Sequence, residues 1–289
     1  MNSFIFGLVP FFGWALGDIF GAFASRKIGA YATTIWVFIG SFVVLTVYAF
    51  FVGFAQLITG ITLPLFLLNL LLGFFYVSGN FALNEAFTKT NPSLAGTINA
   101  AFPALVLVLS VLFFKDPITL PHILVITIIF AGVFLCTFDF GILKSKAKVV
   151  NSGLFFALYA MVSFAVVFTF LRVITDKIGW FWPIYISLFP SLIFLGMMRI
   201  KKIPLVSPLK TKTLLPILGS TISLRIGDII FNLGLHSGLA KIVAPIAGAY
   251  PVLFVILAFF VFKDPIKKQQ MIGIVVTLLG IVLLSIISV

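Results

Sequence analysis

Long uninterrupted runs of apolar residues dominate the chain, and short polar or basic segments separate them. The apolar positions are continuous through each run rather than alternating, which indicates helices and not the strands of a membrane barrel. A run of about 20 apolar residues can cross a bilayer as one helix, because a helix satisfies its own backbone hydrogen bonds. The pattern predicts ten spans, at residues 4–24, 31–53, 63–84, 93–114, 119–138, 152–174, 179–198, 213–235, 240–262 and 269–288.

The ten spans form two sets of five, because part of the sequence recurs at a fixed offset. The tetrapeptide Phe-Lys-Asp-Pro at residues 114–117 returns at residues 262–265, 148 residues later. We expect a first five-helix repeat over residues 1–140 and a second over residues 151–289. An odd number of spans per repeat inverts the second copy in the membrane, as in alternating-access transporters that bind their substrate near the midplane. The same ungapped offset also pairs Gly79 with Gly227, Asn84 with Asn232, Pro103 with Pro251 and Gly132 with Gly280.

The composition excludes a soluble globular protein. Of the 289 residues, 62% are hydrophobic and 9% are charged, so the bilayer is the solvent. The net charge of +12 does not indicate nucleic-acid binding, because the basic residues lie in short loops between spans. The single cysteine, Cys136, excludes an internal disulfide and belongs to no metal or redox motif. We expect no cofactor and no metal site, and we interpret the first span as retained rather than as a signal peptide.

The basic residues are unevenly distributed between the two sides of the membrane. The loops after odd-numbered spans hold fourteen Lys and Arg residues, and the loops after even-numbered spans hold four. The positive-inside rule therefore predicts a multi-pass protein of the plasma (inner) membrane with both termini outside. It places the basic loops at 139–151 and 199–212 in the cytoplasm.

Several features together resemble a known family. Five plus five spans, Gly13-Trp14 followed by Gly17-Asp18 in the first span, and an F-x-D-P turn after spans 4 and 9 are similar to the drug/metabolite transporter superfamily, most closely its EamA-type ten-helix branch. The resemblance covers nearly the whole chain. It implies an all-α membrane protein whose central cavity is lined by spans 1, 3, 4, 6, 8 and 9, with spans 5 and 10 outside. It also implies transport of small metabolites, coupled to protons or by exchange. Many members have cytoplasmic termini, whereas the charge distribution of this chain predicts the reverse.

Three ionisable residues lie inside predicted spans. Each costs roughly 2.5–3.5 kcal/mol at a helix centre and usually faces the protein interior with a partner. Asp18 lies in span 1, and Arg225 and Asp228 lie three residues apart in span 8, where they can form an ion pair. The pair can line the substrate or proton path, or it can only lock helix packing. Asp18 can act as a protonatable coupling group, or a nearby arginine can hold it ionised.

Two stripes run along span 1. Gly13, Gly17 and Gly21 recur every four residues, which predicts close contact with another helix. Pro10, Trp14 and Asp18 also recur every four residues, on an adjacent face. We list Pro10 as a candidate hinge and Trp14 as a cavity wall for flat or cationic ligands, with simple packing as the alternative.

Spans 3, 4 and 9 add polar groups and prolines. We expect Asn80 and Asn99 to donate hydrogen bonds into the cavity, or else to bond a neighbouring helix. Pro103 and Pro251 occupy equivalent positions in spans 4 and 9, and we predict that both act as hinges where the repeats meet.

The Lys-Asp-Pro turns after spans 4 and 9 are interpreted as helix punctuation. Asp116 and Asp264 are then expected to cap the following helices, with the proline in the first turn.

These features favour a secondary transporter that moves a small polar metabolite, by rocking the two repeats about a midplane site. An amino acid, bound through its ammonium group to a carboxylate and through its carboxylate to Arg225, is the first candidate, and export is the preferred direction. Uptake of a sugar or nucleobase and flipping of a lipid carrier remain alternatives. No catalytic residues are identified, so we do not expect an enzyme. The expected partners are a small-molecule substrate, protons and the lipid bilayer, in a monomer or weak dimer.

Overall fold

The computed structural model describes residues 3–53, 60–137, 152–236, 243 and 246–287, and within these ranges the regular structure is helical. Most of the helices are built from long apolar runs. The helices in these ranges include α1 (Ser3–Ile28), α2 (Ala30–Val52), α3 (Leu63–Lys89), α4 (Pro92–Asn99), α5 (Phe102–Phe114), α6 (Leu120–Thr137), α7 (Ser152–Ile178), α8 (Phe181–Ile186), α9 (Ser191–Ile200), α10 (Leu214–His236), α11 (Tyr250–Phe262) and α12 (Lys268–Ile287).

The helices follow the ten predicted spans in order. Helices α4 and α5 together form span 4, and α8 and α9 together form span 7. In the described part of the chain, seven spans are long and apolar enough to cross a membrane, and three shorter apolar helices make up spans 5, 9 and 10. The protein is therefore an all-α membrane protein with ten spans in two inverted repeats, α1–α6 and α7–α12. The predicted loop at 139–151 lies outside the described residues.

Proline accounts for the breaks in spans 4 and 9, which the sequence predicted as continuous. Pro103 lies in the first turn of α5 and Pro251 in the first turn of α11. Because proline has no N–H, the carbonyls of Asn99 and Ala247 have no partner four residues ahead. Pro10, in contrast, lies inside the continuous helix α1.

Helix α1 presents different stripes of its surface to lipid and to protein, because successive residues turn by about 100°. Phe12 and Phe20 are exposed on its outer face. Gly13 and Gly17 face α10 so closely that a Cβ at Gly13 would lie 2.7 Å from the backbone oxygen of Ser223. The glycine stripe predicted from the sequence is thus a helix contact.

The helices pack into two bundles that face each other. The first bundle contains α1, α2, α10 and α11, and the second contains α3, α4, α5, α7 and α8. Helix α9 contacts both, since it packs against α2 and its Phe194 ring stacks on Phe81 of α3. Helices α6 and α12 pack along each other outside both bundles. Each bundle therefore draws helices from both sequence repeats. The two bundles, and not the two repeats, are the walls of the central cavity.

Candidate functional site

A cavity of about 550 Å³ lies between the two bundles. Its volume falls within the roughly 300–1,000 Å³ that is usual for small-molecule sites. Residues of spans 1, 3, 4, 6, 7, 8 and 9 line it, and among the described residues none of spans 5 and 10 does. Span 7 was not expected in the lining, and it enters because its short helix α8 projects Trp180, Pro183 and Ile184 towards the cavity. The structure brings together at this one cavity all six residues singled out for binding or coupling, Trp14, Asp18, Asn80, Asn99, Arg225 and Asp228.

A hydrogen-bonded network crosses the cavity from one bundle to the other. The indole Nε1 of Trp14 donates to Asp228 Oδ1 at 2.9 Å. Arg225 Nη1 lies 2.9 Å from Asp228 Oδ2, and Arg225 Nη2 donates to the Tyr76 hydroxyl at 3.0 Å. Tyr76 is the only member of this chain of contacts in the second bundle. The Arg225–Tyr76 bond therefore ties the bundles together at the site.

Arg225 is deeply buried and incompletely satisfied. The residue is 2% exposed, and its Nε and Nη1 atoms have no hydrogen-bond partner among the described residues. The Nη1 atom is close to Asp228, but its N–H does not point at the carboxylate oxygen. Burying a donor without an acceptor costs about 1–3 kcal/mol, and more for a charged group. The Nε atom is therefore a donor that an anionic ligand group can satisfy.

Asp18 is a carboxylate in the cavity without a charged partner. Within the described part of the chain, it makes no hydrogen bond or ion pair. It also lines a second, small cavity of about 20 Å³, together with Gly21, Asn84 and Ser220. With Arg225 paired to Asp228, Asp18 is an acidic side chain in the cavity that has no charged partner among the described residues.

The two asparagines predicted at the site make different contacts. Asn80 Nδ2 donates to the Tyr76 backbone oxygen at 2.8 Å, so this amide bonds its own helix rather than a neighbour. Asn99 is 4% exposed, and its Oδ1 atom is an acceptor with no described donor. Asn99 ends α4 just before the proline break, so that break positions an unpaired amide oxygen at the cavity wall.

Aromatic rings form much of the remaining wall. Trp14 contacts Phe231 and Tyr250, with ring centroids 5.1 and 5.3 Å away. On the opposite side Phe102 stacks on Phe168 at 5.2 Å. The cavity therefore combines a few convergent polar groups with a largely apolar, aromatic surface, which suits a ligand with a charged part and an apolar part.

The candidate hinges lie at the edges of the site rather than within its lining. Pro10 is one turn before Trp14, where α1 crosses α10 at Gly227. Pro103 and Pro251 each begin the second half of a broken span, and Tyr250, which lines the cavity, immediately precedes Pro251.

The expectation that Asp116 and Asp264 cap the following helices is wrong. Those helices begin later, at Leu120 and Lys268. The Asp116 carboxylate instead accepts two hydrogen bonds from Arg172, at 2.7 and 3.3 Å. The Asp264 carboxylate forms an ion pair with Arg26. A lysine with positive φ precedes each aspartate and turns the chain, which directs the carboxylates back towards the bundles.

The residues at the cavity mouth were not predicted from the sequence. Arg172, Thr175 and Asp176 line the end of the cavity near the C-terminus of α7. Tyr76 was a weak candidate from the sequence. A tyrosine in a span costs little free energy, and nothing in the sequence indicates its hydrogen bond with Arg225. The described residues contain no group of three or more His, Cys, Asp or Glu that could hold a metal ion.

Comparisons with known proteins agree with this architecture. A protein of Methanocaldococcus jannaschii, the uncharacterized protein MJ1333.1, is 37% identical over 67 residues, which are 23% of this chain and 49% of that relative. The chain thus matches about half the length of this curated relative. A protein known from a crystal structure superimposes with a TM-score of 0.67 and 16% identity, covering 99% of this chain and 97% of that one. At that identity the likeness shows the fold alone.

The family match extends over both repeats. The model of the EamA-like transporter family matches residues 1–138 and 151–286. This match confirms the resemblance seen in the sequence. The chain belongs to the EamA-like transporter family.

Proposed function

We propose that this protein is a secondary active transporter that exports a small polar metabolite by alternating access, with an amino acid as the first candidate substrate. The observation that carries the proposal is the network from Trp14 through Asp228 and Arg225 to Tyr76, beside the unpaired carboxylate of Asp18. The network joins both bundles at one cavity. A ligand that binds there therefore acts on the contacts that hold the bundles in this arrangement.

The charges in the site favour a ligand with a positive group. Arg225 and Asp228 neutralise each other, and Asp18 remains as a carboxylate without a partner in the described residues. An ammonium group at Asp18 supplies the missing counter-charge. A carboxylate on the same ligand can accept a hydrogen bond from Arg225 Nε, which has no acceptor among the described residues. An amino acid carries both groups, and its side chain then lies against the aromatic wall.

Movement of the substrate follows from the position of the site between the bundles. When a ligand in the cavity accepts a hydrogen bond from Arg225, the Arg225–Tyr76 bond contributes less to the stability of this arrangement of the bundles. The bundles can then rock about the site and open it to the other face. Asp18 is the group we propose for proton coupling, because it can exchange an ammonium group for a proton without disturbing an existing ion pair.

We also propose the orientation that the basic loops favour. Both termini lie outside the plasma (inner) membrane, and the loops at 139–151 and 199–212 lie in the cytoplasm. Reporter fusions within 199–212 are expected to show a cytoplasmic position. An external position would contradict the orientation and leave the binding proposal intact.

The test is a ligand-stabilisation screen on purified wild type, Asp18→Asn, Asp228→Asn and Glu85→Gln. The panel contains amino acids, nucleobases, sugars, polyamines and quaternary amines. Glu85→Gln is the matched control, because it removes one negative charge from a surface ion pair with Lys89 that does not line the cavity.

We expect an amino acid to raise the melting temperature of wild type and Glu85→Gln, and to lose this effect in Asp18→Asn and Asp228→Asn. A shift in all four proteins would move the site away from these carboxylates. A shift by a sugar or nucleobase alone would change the substrate class. No shift with any water-soluble compound would favour a lipid-linked substrate.

A further inference from the structure

The repeated Phe-Lys-Asp-Pro turns each hold an arginine from the other sequence repeat. In the second repeat, the Asp264 carboxylate binds Arg26, whose guanidinium carbon lies 4.8 Å from the centroid of the Phe262 ring. In the first repeat, Asp116 binds Arg172, which lies 3.7 Å from the Phe114 ring centroid. The phenylalanine of each motif thus lies against the face of a guanidinium group, and the aspartate of the same motif pairs with its N–H groups.

The two arginine sites are related by the inverted repeat. Arg26 lies near the end of span 1 and Arg172 near the end of span 6, which are the first spans of their repeats. Each arginine joins its span to the turn after the fourth span of the other repeat. Inversion places the two sites at opposite faces of the membrane. Each ion pair also stays within one bundle, since α1 and α11 belong to the first bundle and α5 and α7 to the second.

Among the described residues, the Arg26 site also bonds the opposite bundle and the Arg172 site does not. Arg26 Nε donates to the Phe87 backbone oxygen at 2.9 Å, and its Nη2 donates to the Thr90 oxygen at 3.4 Å. The Asn91 amide donates to the Asp264 backbone oxygen at 2.9 Å. Phe87 and Thr90 lie at the C-terminal end of α3, where helix carbonyls have no donor within the helix. Arg26 therefore supplies donors that this helix end needs.

The cavity is shaped in agreement with this difference. The cavity of about 550 Å³ extends to Arg172, Thr175 and Asp176, at the face of the membrane where the Arg172–Asp116 pair lies. On the side of Arg26, Asp18 and Phe87 line the small cavity of about 20 Å³, which has room for about one water molecule. The side chains of Arg26 and Asp264 are each 29% exposed, against 41% and 37% for Arg172 and Asp116.

We propose that Arg26, Asp264 and Asn91 form a latch that closes one face of the transporter by bonding the first bundle to the α3–α4 corner of the second. The proposal rests on transport by alternating access between the bundles. The small cavity beneath the latch is the closed half of the transport path. Arg26 and Asn91 are positioning residues: they set which face is open and do not touch the substrate.

The test measures solvent access to cysteines on the two sides of the site and needs no substrate. Cys136, the natural cysteine, is 1% exposed and is replaced by alanine to give a cysteine-free background. One reporter is Ser220→Cys, in the small cavity, where the native residue is 1% exposed. The other is Thr175→Cys, at the open mouth. A membrane-impermeant thiol reagent reports the labelling rate of each in the detergent-solubilised full-length protein.

We expect Arg26→Gln to raise the labelling rate of the Ser220→Cys reporter about fivefold, and to lower that of the Thr175→Cys reporter, as the equilibrium shifts to the opposite opening. Asn91→Ser should raise the Ser220→Cys rate about threefold. Serine still caps α4 as Asn91 does through its bond from Ser93 N, but it cannot reach Asp264. The matched control is Arg172→Gln, the symmetry-related arginine, which should not raise the Ser220→Cys rate.

Unchanged labelling in both Arg26→Gln and Asn91→Ser would overturn the latch. An equal rise of the Ser220→Cys labelling rate with Arg172→Gln would overturn it as well, because the loss of either arginine would then loosen the whole protein rather than open one face. If Arg26→Gln fails to fold, as judged by gel filtration, Asn91→Ser alone decides. Because the readout is conformational, a failure here is distinct from a failure of the ligand screen, which tests the substrate and its site.

Discussion

The helix pairs α1/α10 and α6/α12 both come into close contact through glycines, and of these two pairs only α1/α10 lines the candidate site. Between α1 and α10, a Cβ at Gly17 would lie 2.6 Å from the Leu224 side chain. Between α6 and α12, a Cβ at Gly132 would lie 2.7 Å from the Thr277 backbone nitrogen. The α1/α10 pair has a polar stripe beside its glycine stripe, whereas α6/α12 has none that lines the cavity. Glycine packing alone thus marks a rigid contact, and a polar stripe next to it marks the site.

The largest expected effect is at Arg225 in the α1/α10 pair, where substitution should lower both stability and transport. Arg225→Leu leaves Asp228 as a largely buried charge without its partner and should lower the free energy of unfolding by about 3–5 kcal/mol. Thermal unfolding measures the loss. The double variant Arg225→Leu/Asp228→Leu should recover much of this stability, while transport stays abolished. An unchanged melting temperature in the single variant would show that the ion pair contributes little.

The α6/α12 contact should respond to mutation in stability alone. Gly132→Ala places a methyl group against backbone atoms and should cost about 1–3 kcal/mol. Transport per folded molecule should match wild type, because no residue of this pair lines the cavity. Gly196→Ala is the control, since a Cβ there meets no atom within 4 Å. Loss of transport in Gly132→Ala at full folding would give α6 and α12 a direct part in the cycle.

The smallest expected effect on stability is at Tyr76, where water from the cavity can replace the lost hydroxyl. Tyr76→Phe removes the acceptor for Arg225 Nη2 and should cost about 0.5–1.5 kcal/mol. It should also change ligand affinity several-fold, since the bond between bundles at the site is lost. Tyr159→Phe makes the same chemical change at a hydroxyl that donates to Ser78 Oγ and does not line the cavity. Equal effects of both variants on affinity would argue against a special role for Tyr76.

The number of spans, the inverted repeat and the polar residues of the cavity were predictable from the sequence. The sequence singles out Asp18, Arg225 and Asp228, because a charged side chain in hydrocarbon costs free energy and is usually found only where it pairs or functions. Trp14 followed from its spacing of four residues from Asp18. The glycine stripe of span 1 likewise predicted a helix contact that the structure confirms at Gly13 and Gly17.

The pairing of helices was not predictable, because local patterns do not record which distant faces meet. The repeats suggested two sequence halves facing each other, whereas each bundle contains spans of both. For the same reason Asp116 and Asp264 were mistaken for helix caps. Their partners, Arg172 and Arg26, are 56 and 238 residues away and sit near span ends, where arginine is ordinary. The broken spans 4 and 9 were signalled by Pro103 and Pro251, but the position of each break depends on tertiary packing.

The pairing of α1 with α10 also means that α1 is synthesised long before the helix that covers its glycine face. Helix α10 begins about 190 residues after α1 ends. At roughly 5–20 residues per second, that is on the order of 10–40 seconds of translation. Throughout that interval the Gly13–Gly17 face has no helix to cover it, and Asp18 lies in a span whose final neighbour does not yet exist. The first helix to enter the membrane is thus among the last to reach its native surroundings.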